Sequence, residues 1–567
     1  MSTSLSQRSI NSLKVRSGRS RATWAARLWL PLLVFTLPVA AQAQFTYTAN
    51  NGTITITGYI CSAGAAIIPD TIDGLPVTTI GGGAFQDCTG LTSVSLPNSV
   101  TTIGNWAFLR CTGLTSVTVP NSVATIGDGA FSGCTALMGI EVEALNPAYS
   151  SLDGVLFTKH RTTLLEYPGG KAGIYTLPNS VINIGEAAFY DCTGLTSVTL
   201  PTSVTTIGSV AFHRCTGLTS VTLPNSLTTI EVYAFTGCTG LTNVTIPDSV
   251  TTIGDGAFAA CTGLTSVSIP DGVTTIGNGP FAACTGLKRI EVAALNPAYS
   301  SLEGVLFAKN RTTLLQCPGG KTGSYTVPDH VTTIGGSAFS GCTGLTSITI
   351  PHGVTTIGNR AFAYCTVLKG IEVAALNSSY RSMDGLLFAK DGTTLLQCPG
   401  GKAGNYTLPD RVTMIGGSAF SGCTGLTSVT LPNSVIKIEV YAFSNCTGLT
   451  SVYCLGKAPA AGDDVFDETN GVTVYYLPGA TGWGATYEGR PTALWSLPYP
   501  VIFSSDPGFG FLISWATNAA VVVEASPDLV APDWTRISTN TLTAGSAQFT
   551  DPQWTDHPTR FYRVRTP

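Results

Sequence analysis

The stretch Cys88-Thr-Gly-Leu-Thr-Ser-Val-Ser-Leu-Pro-Asn-Ser-Val-Thr-Thr-Ile-Gly-Asn-Trp-Ala-Phe-Leu-Arg110 decides the fold, because the chain repeats it almost unchanged as far as about Leu449. Cysteines at 88, 111, 134, 192, 215, 238, 261, 284, 342, 365, 423 and 446 mark its register, and every gap between them is 23 or 58 residues. Self-similarity at one short period is the signature of a solenoid, in which each unit buries its apolar face only against its neighbours. Within the unit, Leu91, Val94 and Leu96 read as a short strand. Pro97-Asn98-Ser99 reads as a turn, since proline fixes φ and Asn and Ser can bond nearby backbone. Val100 and Ile103 make a second apolar step. Ala107, Cys111 and Leu114 fall at i, i+4 and i+7, a spacing that predicts one or two helical turns on the outer side.

Outward from the array, residues 1–43 read as a secretory signal. A basic leader (Arg8, Lys14, Arg16, Arg19, Arg21, Arg27) precedes the apolar run Leu28 to Ala41, and Ala41-Gln42-Ala43 supplies a small-x-small cleavage pattern. The mature chain is then expected to start at Gln44, with no transmembrane segment after cleavage. Residues 44–87 read as degenerate capping rungs and 88–454 as the repeats. Islands near 139–177, 289–327 and 370–408 lengthen the period. Each island carries two strand-like runs, such as Val155-Leu-Phe157 and Thr163-Leu-Leu165, joined by Lys159-His160-Arg161. Residues 455–497 read as a C-terminal cap, with Trp483 and Trp495 covering the last rung. Residues 498–567 contain short strand-like runs, Phe511 to Trp515 among them, and predict a small all-β sandwich.

The motifs Leu-Thr-Ser-Val-Thr-Leu-Pro, Val-Thr-Thr-Ile-Gly and Ala-Phe-x-x-Cys, repeated over roughly residues 50–497, resemble the BspA-like leucine-rich repeat family. Glu524-Ala-Ser, Trp534-Thr and Arg560-Phe-Tyr-Arg-Val564 resemble a C-terminal module seen on secreted bacterial proteins. The resemblance implies a leucine-rich-repeat solenoid of parallel strands with short helical turns, β-rich α/β in class. It also implies a bacterial surface protein, adhesive in some relatives.

Composition narrows the function. Charged residues are 11% of the chain, the net charge is −4 and no basic patch follows the leader, which argues against a nucleic-acid partner. Sixteen cysteines in a secreted chain suggest disulfides, but the repeat cysteines share one phase, so neighbouring Cβ vectors should run parallel rather than face each other. A ladder of free, buried thiols is expected. Tyr167 stands in the first island where Cys317 and Cys398 stand in the others, and Cys454 takes the phase of Leu96, so these too read as packing.

No enzyme, cofactor or metal constellation assembles. Gly320-Lys321-Thr322 lacks the glycine a phosphate loop needs at Leu315. Glu141 and Glu143, about 7 Å apart along a strand, have the geometry of a glycosidase pair, yet the later islands keep only Glu291 and Glu372. Asp463, Asp464, Asp467 and Glu468 do not follow the spacing of a calcium loop. His160, His213, His330, His352 and His557 are scattered.

What remains is surface. The outward strand positions Ser93, Ser95, Ser116, Thr118, Ser197, Thr199, Ser220 and Thr222 stack into an uncharged hydroxyl face interrupted by Glu141, Glu143, Glu291 and Glu372. That face is the candidate binding surface of a secreted or cell-surface adhesion protein, with a protein or glycan as ligand. The competing expectation is a structural surface component without a ligand, whose Ser and Thr only suit exposed strands.

Overall fold

A computed structural model of the protein describes residues 44–477, 479–495, 499–505, 508–514, 520–528, 533–542, 546–557 and 559–565. The proposed leader and Trp515 lie outside the described residues. Two ladders of parallel strands run along the repeat array, each advancing one rung every 23 residues. On the first, Ser93 pairs with Ser116 and Ser116 with Gly139; on the second, Thr79 pairs with Thr102 and Thr102 with Thr125. Pro97 makes the corner between them, where its carbonyl accepts from the Val100 amide at 3.1 Å. Gly104 follows the second strand because rungs touch there: a Cβ would meet the Gly82 nitrogen at 2.7 Å.

The third side of each rung is not helical. Among the described residues the only helical turn is the 3-10 segment Trp554–Asp556, far from the repeats. Amides along the Ala-Phe-x-x-Cys segment alternate instead. Ala107, Leu109 and Cys111 donate to carbonyls three residues back, while Trp106, Phe108 and Arg110 donate to Asp128, Ala130 and Ser132 of the next rung at 2.8–3.0 Å. This needs a left-handed residue every fourth position, and Trp106 (φ 57°) and Arg110 (φ 55°) supply it. Glycine often fills these places, as at Gly129 and Gly133, since only it adopts positive φ without steric cost. A left-handed residue every four positions cannot propagate an α-helix, so the expected helical turns give way to consecutive tight turns stitched between rungs.

The core is a stack of identical layers. Val100, Ile103, Phe108, Cys111, Leu114 and Val117 of one rung are all buried. Phe189, Phe212, Phe235, Phe258 and Phe281 form one near-parallel ring stack with centroids 4.6–5.7 Å apart. Within an unbroken run of repeats the thiol points inward and donates to the carbonyl of the previous rung's phenylalanine, Cys111 to Phe85, Cys238 to Phe212 and Cys284 to Phe258, all at 3.0 Å; after an island it meets an island carbonyl instead, as Cys192 does that of Tyr167 at 3.5 Å. In the last rung Thr469 takes the role of cysteine, donating to Phe443 at 2.5 Å.

One pair departs from the expected row of free thiols. Cys61 and Cys88 form a disulfide with Cα atoms 4.8 Å apart. Cys61 lies in an irregular connection rather than in a stitched turn, so its Cβ is not held parallel to that of Cys88. The other fourteen cysteines are free and buried, Cys317, Cys398 and Cys454 included.

In each island three strands fold back on themselves. Tyr149–Leu152 pairs antiparallel with Val155–Thr158, which pairs antiparallel with Thr163–Glu166, and the last of these rejoins the second ladder in parallel with Asn183–Ile184. The islands at 299–316 and 380–397 repeat the arrangement.

At the C-terminal end the first ladder continues through Thr473–Tyr476 and Arg490–Leu494. Trp483 stacks on Tyr476 (5.2 Å), and the Trp495 ring packs 4.4 Å from Tyr453. Beyond residue 498 the described strands form two three-stranded antiparallel sheets that share the core residues Phe511, Ile513, Val521, Val523, Leu542 and Phe549.

Candidate functional site

The first ladder carries every candidate side chain. Strand alternation turns Val117 and Val198 into the core and leaves Ser116, Thr118 and Thr199 in solvent. Register then brings candidates together: Ser93 beside Ser116, Thr118 beside Glu141, Ser197 beside Ser220, and Thr199 beside Thr222. Ser220 Oγ lies 3.4 Å from Ser197 Oγ. Glu291 and Glu372 fall in register with Ser268 and Thr349, as Glu141 does with Thr118. The three glutamates therefore share one phase, each on the last strand before an island.

The carboxylates are not equivalent. Glu143 is half-buried and accepts from the Asn121 amide at 2.8 Å, so it closes a turn and is not an exposed partner for Glu141. Glu141 and Glu372 accept from island serines, Ser151 at 3.3 Å and Ser382 at 3.4 Å. Glu291 meets Arg289 at 3.1 Å, an exposed pair of small energetic weight.

The hydroxyl face has a cleft that the sequence did not lead us to expect. The rung at Asn243–Ile246 forms no regular strand pairing, so the ladder is interrupted between Ser220–Thr222 and Ser266–Ile269. A cleft of about 310 Å³ opens there, lined by Asn243, Thr245, Asp248, Ser266, Ser268 and Glu291. Its signal in the sequence is Asn243 itself, which stands where neighbouring rungs carry Ser197, Ser220 and Ser266. Asparagine is poorly suited to strands.

A different set of hydroxyls is already spent. Thr101, Thr115, Thr219, Thr228 and Thr251 each donate to the backbone carbonyl of the residue one rung earlier, at 3.1–3.3 Å. These threonines clamp rungs together. Ser95, Ser116, Thr118, Thr199 and Thr222 have no such bond, and they face solvent.

Two buried polar features were also missed. Asn146, Asn296 and Asn377 are fully buried at the root of each island; Nδ2 of Asn146 donates to the Pro120 and Val123 carbonyls, and Oδ1 accepts from the Ala148 and Tyr149 amides. Glu166 is buried where the other islands have Gln316 and Gln397, and burial pushes its carboxyl well above the usual range. Among the described residues no group of three or more His, Cys, Asp or Glu is placed to hold a metal ion.

Two successive ladders of parallel strands around a stacked phenylalanine core define a leucine-rich-repeat solenoid. The BspA type leucine-rich repeat pattern matches residues 61–158, 172–292, 319–392 and 400–481 in six copies, and the chain belongs to that family. Solved structures similar to this chain include a leucine-rich cell surface protein from Faecalibacterium prausnitzii, 28% identical over 73% of this chain and 94% of that one, with a TM-score of 0.35. The pneumococcal vaccine antigen PcpA is 18% identical over 80% of this chain and 98% of its own, with a TM-score of 0.34. A leucine-rich repeat protein from Bacteroides ovatus is 24% identical over 76% and 93%, with a TM-score of 0.26. No curated protein matches the chain. No helix among the described residues is long and apolar enough to cross a membrane.

Proposed function

We propose that the protein is a secreted or cell-surface binding protein, not an enzyme, which recognises a protein or glycan through the hydroxyl face of its first strand ladder. The observation that carries this reading is the contrast between two sets of hydroxyls. The clamp threonines are used inside the fold, whereas Ser95, Ser116, Thr118, Thr199 and Thr222 are exposed and unused, and the same face opens into the cleft at Asn243 and Glu291. Extended ladders of this kind give a solenoid a broad surface on which many weak contacts add. Residues 1–43 act as the export signal in this reading, and residues 498–567 form a separate β-sandwich module.

The clamp threonines favour a second reading, a structural surface component without a specific ligand, since hydroxyls that tie rungs together stiffen the array. A binding screen separates the two. The protein is presented to matrix glycoproteins and to a glycan array, beside variants Ser268→Arg and Thr118→Arg. Saturable binding that either arginine weakens supports recognition through this face. Absence of saturable binding, or binding that neither arginine alters, removes that reading and leaves the structural role.

A further inference from the structure

On the turn side of the solenoid, away from the hydroxyl face, Trp106, Tyr190 and His213 form a row of rings. Trp106 occupies a left-handed turn position, and its indole lies across the next rung, where position 129 is glycine. A Cβ at Gly129 would come within 2.3 Å of the indole carbons, so the glycine is what lets the ring lie flat. The indole reaches the rung beyond, where Tyr190 meets it edge-on at 6.0 Å. Tyr190 is adjacent because the island leaves the turn side unbroken: the Gly133 amide donates to the Tyr190 carbonyl although the two are 57 positions apart in the chain. His213 then stacks on Tyr190 at 4.8 Å, with planes 14° apart.

A cleft of about 580 Å³ opens against these rings, and its wall is mostly apolar. Trp106, Leu109 and Tyr190 supply the apolar part; Gln86 and Asn105 bring two side-chain amides to the rim. Both nearby arginines are paired, Arg110 with Asp87 at 2.6 Å and Arg214 with Asp191 at 3.1 Å, while the carboxylates of Asp128 and Glu186 lie beside one another with no ion pair among the described residues. Burial holds His213 neutral, with its pKa lowered to about 4. Asn105 accepts from the Asp128 amide through Oδ1, which leaves Nδ2 for a ligand.

We propose that Trp106, Tyr190, Gln86 and Asn105 form a binding subsite for a neutral pyranose ring of a glycan. The occupant follows from the lining. A ring face calls for a flat apolar surface on the ligand, which the axial C–H face of a pyranose provides. Gln86 Nε2 donates to Asp87 at 3.2 Å, so the two amides together offer an acceptor, Gln86 Oε1, and a donor, Asn105 Nδ2, which match vicinal hydroxyls that both donate and accept. With both arginines paired there is no anchor for an anionic group, and a pocket with few polar groups set in an apolar wall is the usual form of a small-ligand site. A proline-rich peptide also stacks on aromatic rings, but it offers carbonyl acceptors only and would leave the Gln86 acceptor unmatched.

The proposal rests on the reading of the chain as a binding protein, but on a separate face. Saturation-transfer NMR of the protein is run with methyl glucoside, methyl galactoside, N-acetylhexosamines and neutral oligosaccharides, with sialylated glycans and a polyproline peptide as the other arms. Expected is binding of at least one neutral sugar, insensitive to salt, with signal strongest on the C–H face. Trp106→Ala weakens it at least about tenfold, equivalent to about 1.4 kcal/mol, while Trp106→Phe keeps most of it. Because Trp106 also packs on Gly129 and Asn105 also accepts from the Asp128 amide, the exposed single variant Gln86→Ala is measured alongside the double variant Gln86→Ala/Asn105→Ala; both lose binding, and Gln86→Ala does so with its melting temperature nearly unchanged. Ser268→Arg leaves this binding intact, so failure at the hydroxyl face and failure here are told apart. Absence of neutral-sugar binding, binding that survives both Trp106→Ala and the double variant, or binding confined to sialylated glycans or to polyproline overturns the proposal.

Discussion

Ser132 Oγ lies 3.1 Å from Glu166 Oε1 and 3.2 Å from the Ala187 carbonyl, in a spot with no exposure to water. The other two islands place Gln316 and Gln397 where Glu166 sits, and their Nε2 groups donate to backbone carbonyls, Gln316 to Cys317 at 3.1 Å and Gln397 to Cys398 at 2.9 Å. A protonated glutamic acid is close to glutamine in shape and can donate in the same way; a carboxylate can only accept. Desolvation raises the Glu166 carboxyl well above its ordinary value of 4.5, with the Ser132 and Phe131 bonds opposing the shift. The folded state therefore binds a proton that the unfolded chain releases near pH 4.5, and stability falls as pH rises above that value until the folded carboxyl itself ionises. Glu166→Gln should raise the denaturation midpoint at pH 8, by about 1–3 kcal/mol, and should have little effect at pH 4. An equal effect at both pH values would show that proton linkage is not the cause.

The thiol ladder makes a second prediction. Burial pushes the thiols of Cys238 and Cys284 well above the ordinary range and those of Cys365 and Cys446 up to about 12, and the Cys238 thiol beside it, with burial, does the same to Cys261. Thiolate is the reactive form, so a thiol-specific disulfide reagent should label none of the fourteen free cysteines in the folded protein and all of them in denaturant. Cys238→Ala should cost about 1–3 kcal/mol, from a small cavity and a carbonyl of Phe212 left with one donor fewer. Cys238→Thr, the residue that position 469 already carries, should cost less if the inward hydrogen bond is what the site selects.

Period, ladders and core were legible because each apolar position recurs at one phase, and stacking turns phase into contact: Phe212 must meet Phe235 once Cys215 sits over Cys238. The turn side was not. Ala107 and Cys111 are four apart, a spacing that a helix and two successive four-residue turns share. The discriminating residues were Gly129 and Gly133, also four apart, which mark left-handed positions rather than a helical face. The hydroxyl face was legible as a row, since alternation fixes which side chains point outward. Its cleft was not, because one substitution, Asn243 for serine, coincides with the break in pairing. Glu166 could be aligned with Gln316 and Gln397, but its burial depends on how the third island strand rejoins the ladder, and no local pattern shows that.

The islands are attached by a shared device that can be tested one bond at a time. The second ladder stops at Ile126, Ile276 and Ile357, and each exposed amide end is met by a tyrosine hydroxyl: Tyr149 accepts from Ile126 at 2.8 Å, Tyr299 from Ile276 at 2.7 Å and Tyr380 from Ile357 at 3.0 Å. Tyr299→Phe removes this acceptor together with the hydroxyl's own bond to the Thr274 carbonyl at 3.3 Å, and keeps the ring. It should cost about 1–2 kcal/mol and speed hydrogen exchange at the Ile276 amide while leaving amides of distant rungs unchanged. Asn296→Ala should cost more, at least about 2 kcal/mol, since it strands the Pro270 and Val273 carbonyls and the Ala298 and Tyr299 amides together.

The disulfide between Cys61 and Cys88 ties the first rung to the regular array across 27 residues. A bond of that loop length restricts the unfolded chain by about 3 kcal/mol in the chain-entropy treatment. Its benefit should be local, because each rung contacts only its neighbours and terminal units fray first. Cys61→Ser should therefore leave the melting of the array nearly unchanged but expose 44–87 to protease, with the cleavage front halting near the rung of Phe108 and Cys111, where stacking and the inward thiol bond are complete on both sides. Timed proteolysis read by mass spectrometry gives the position of that front. Cleavage that runs on through the repeats would mean that the bond secures the whole solenoid and that its rungs unfold as one cooperative unit.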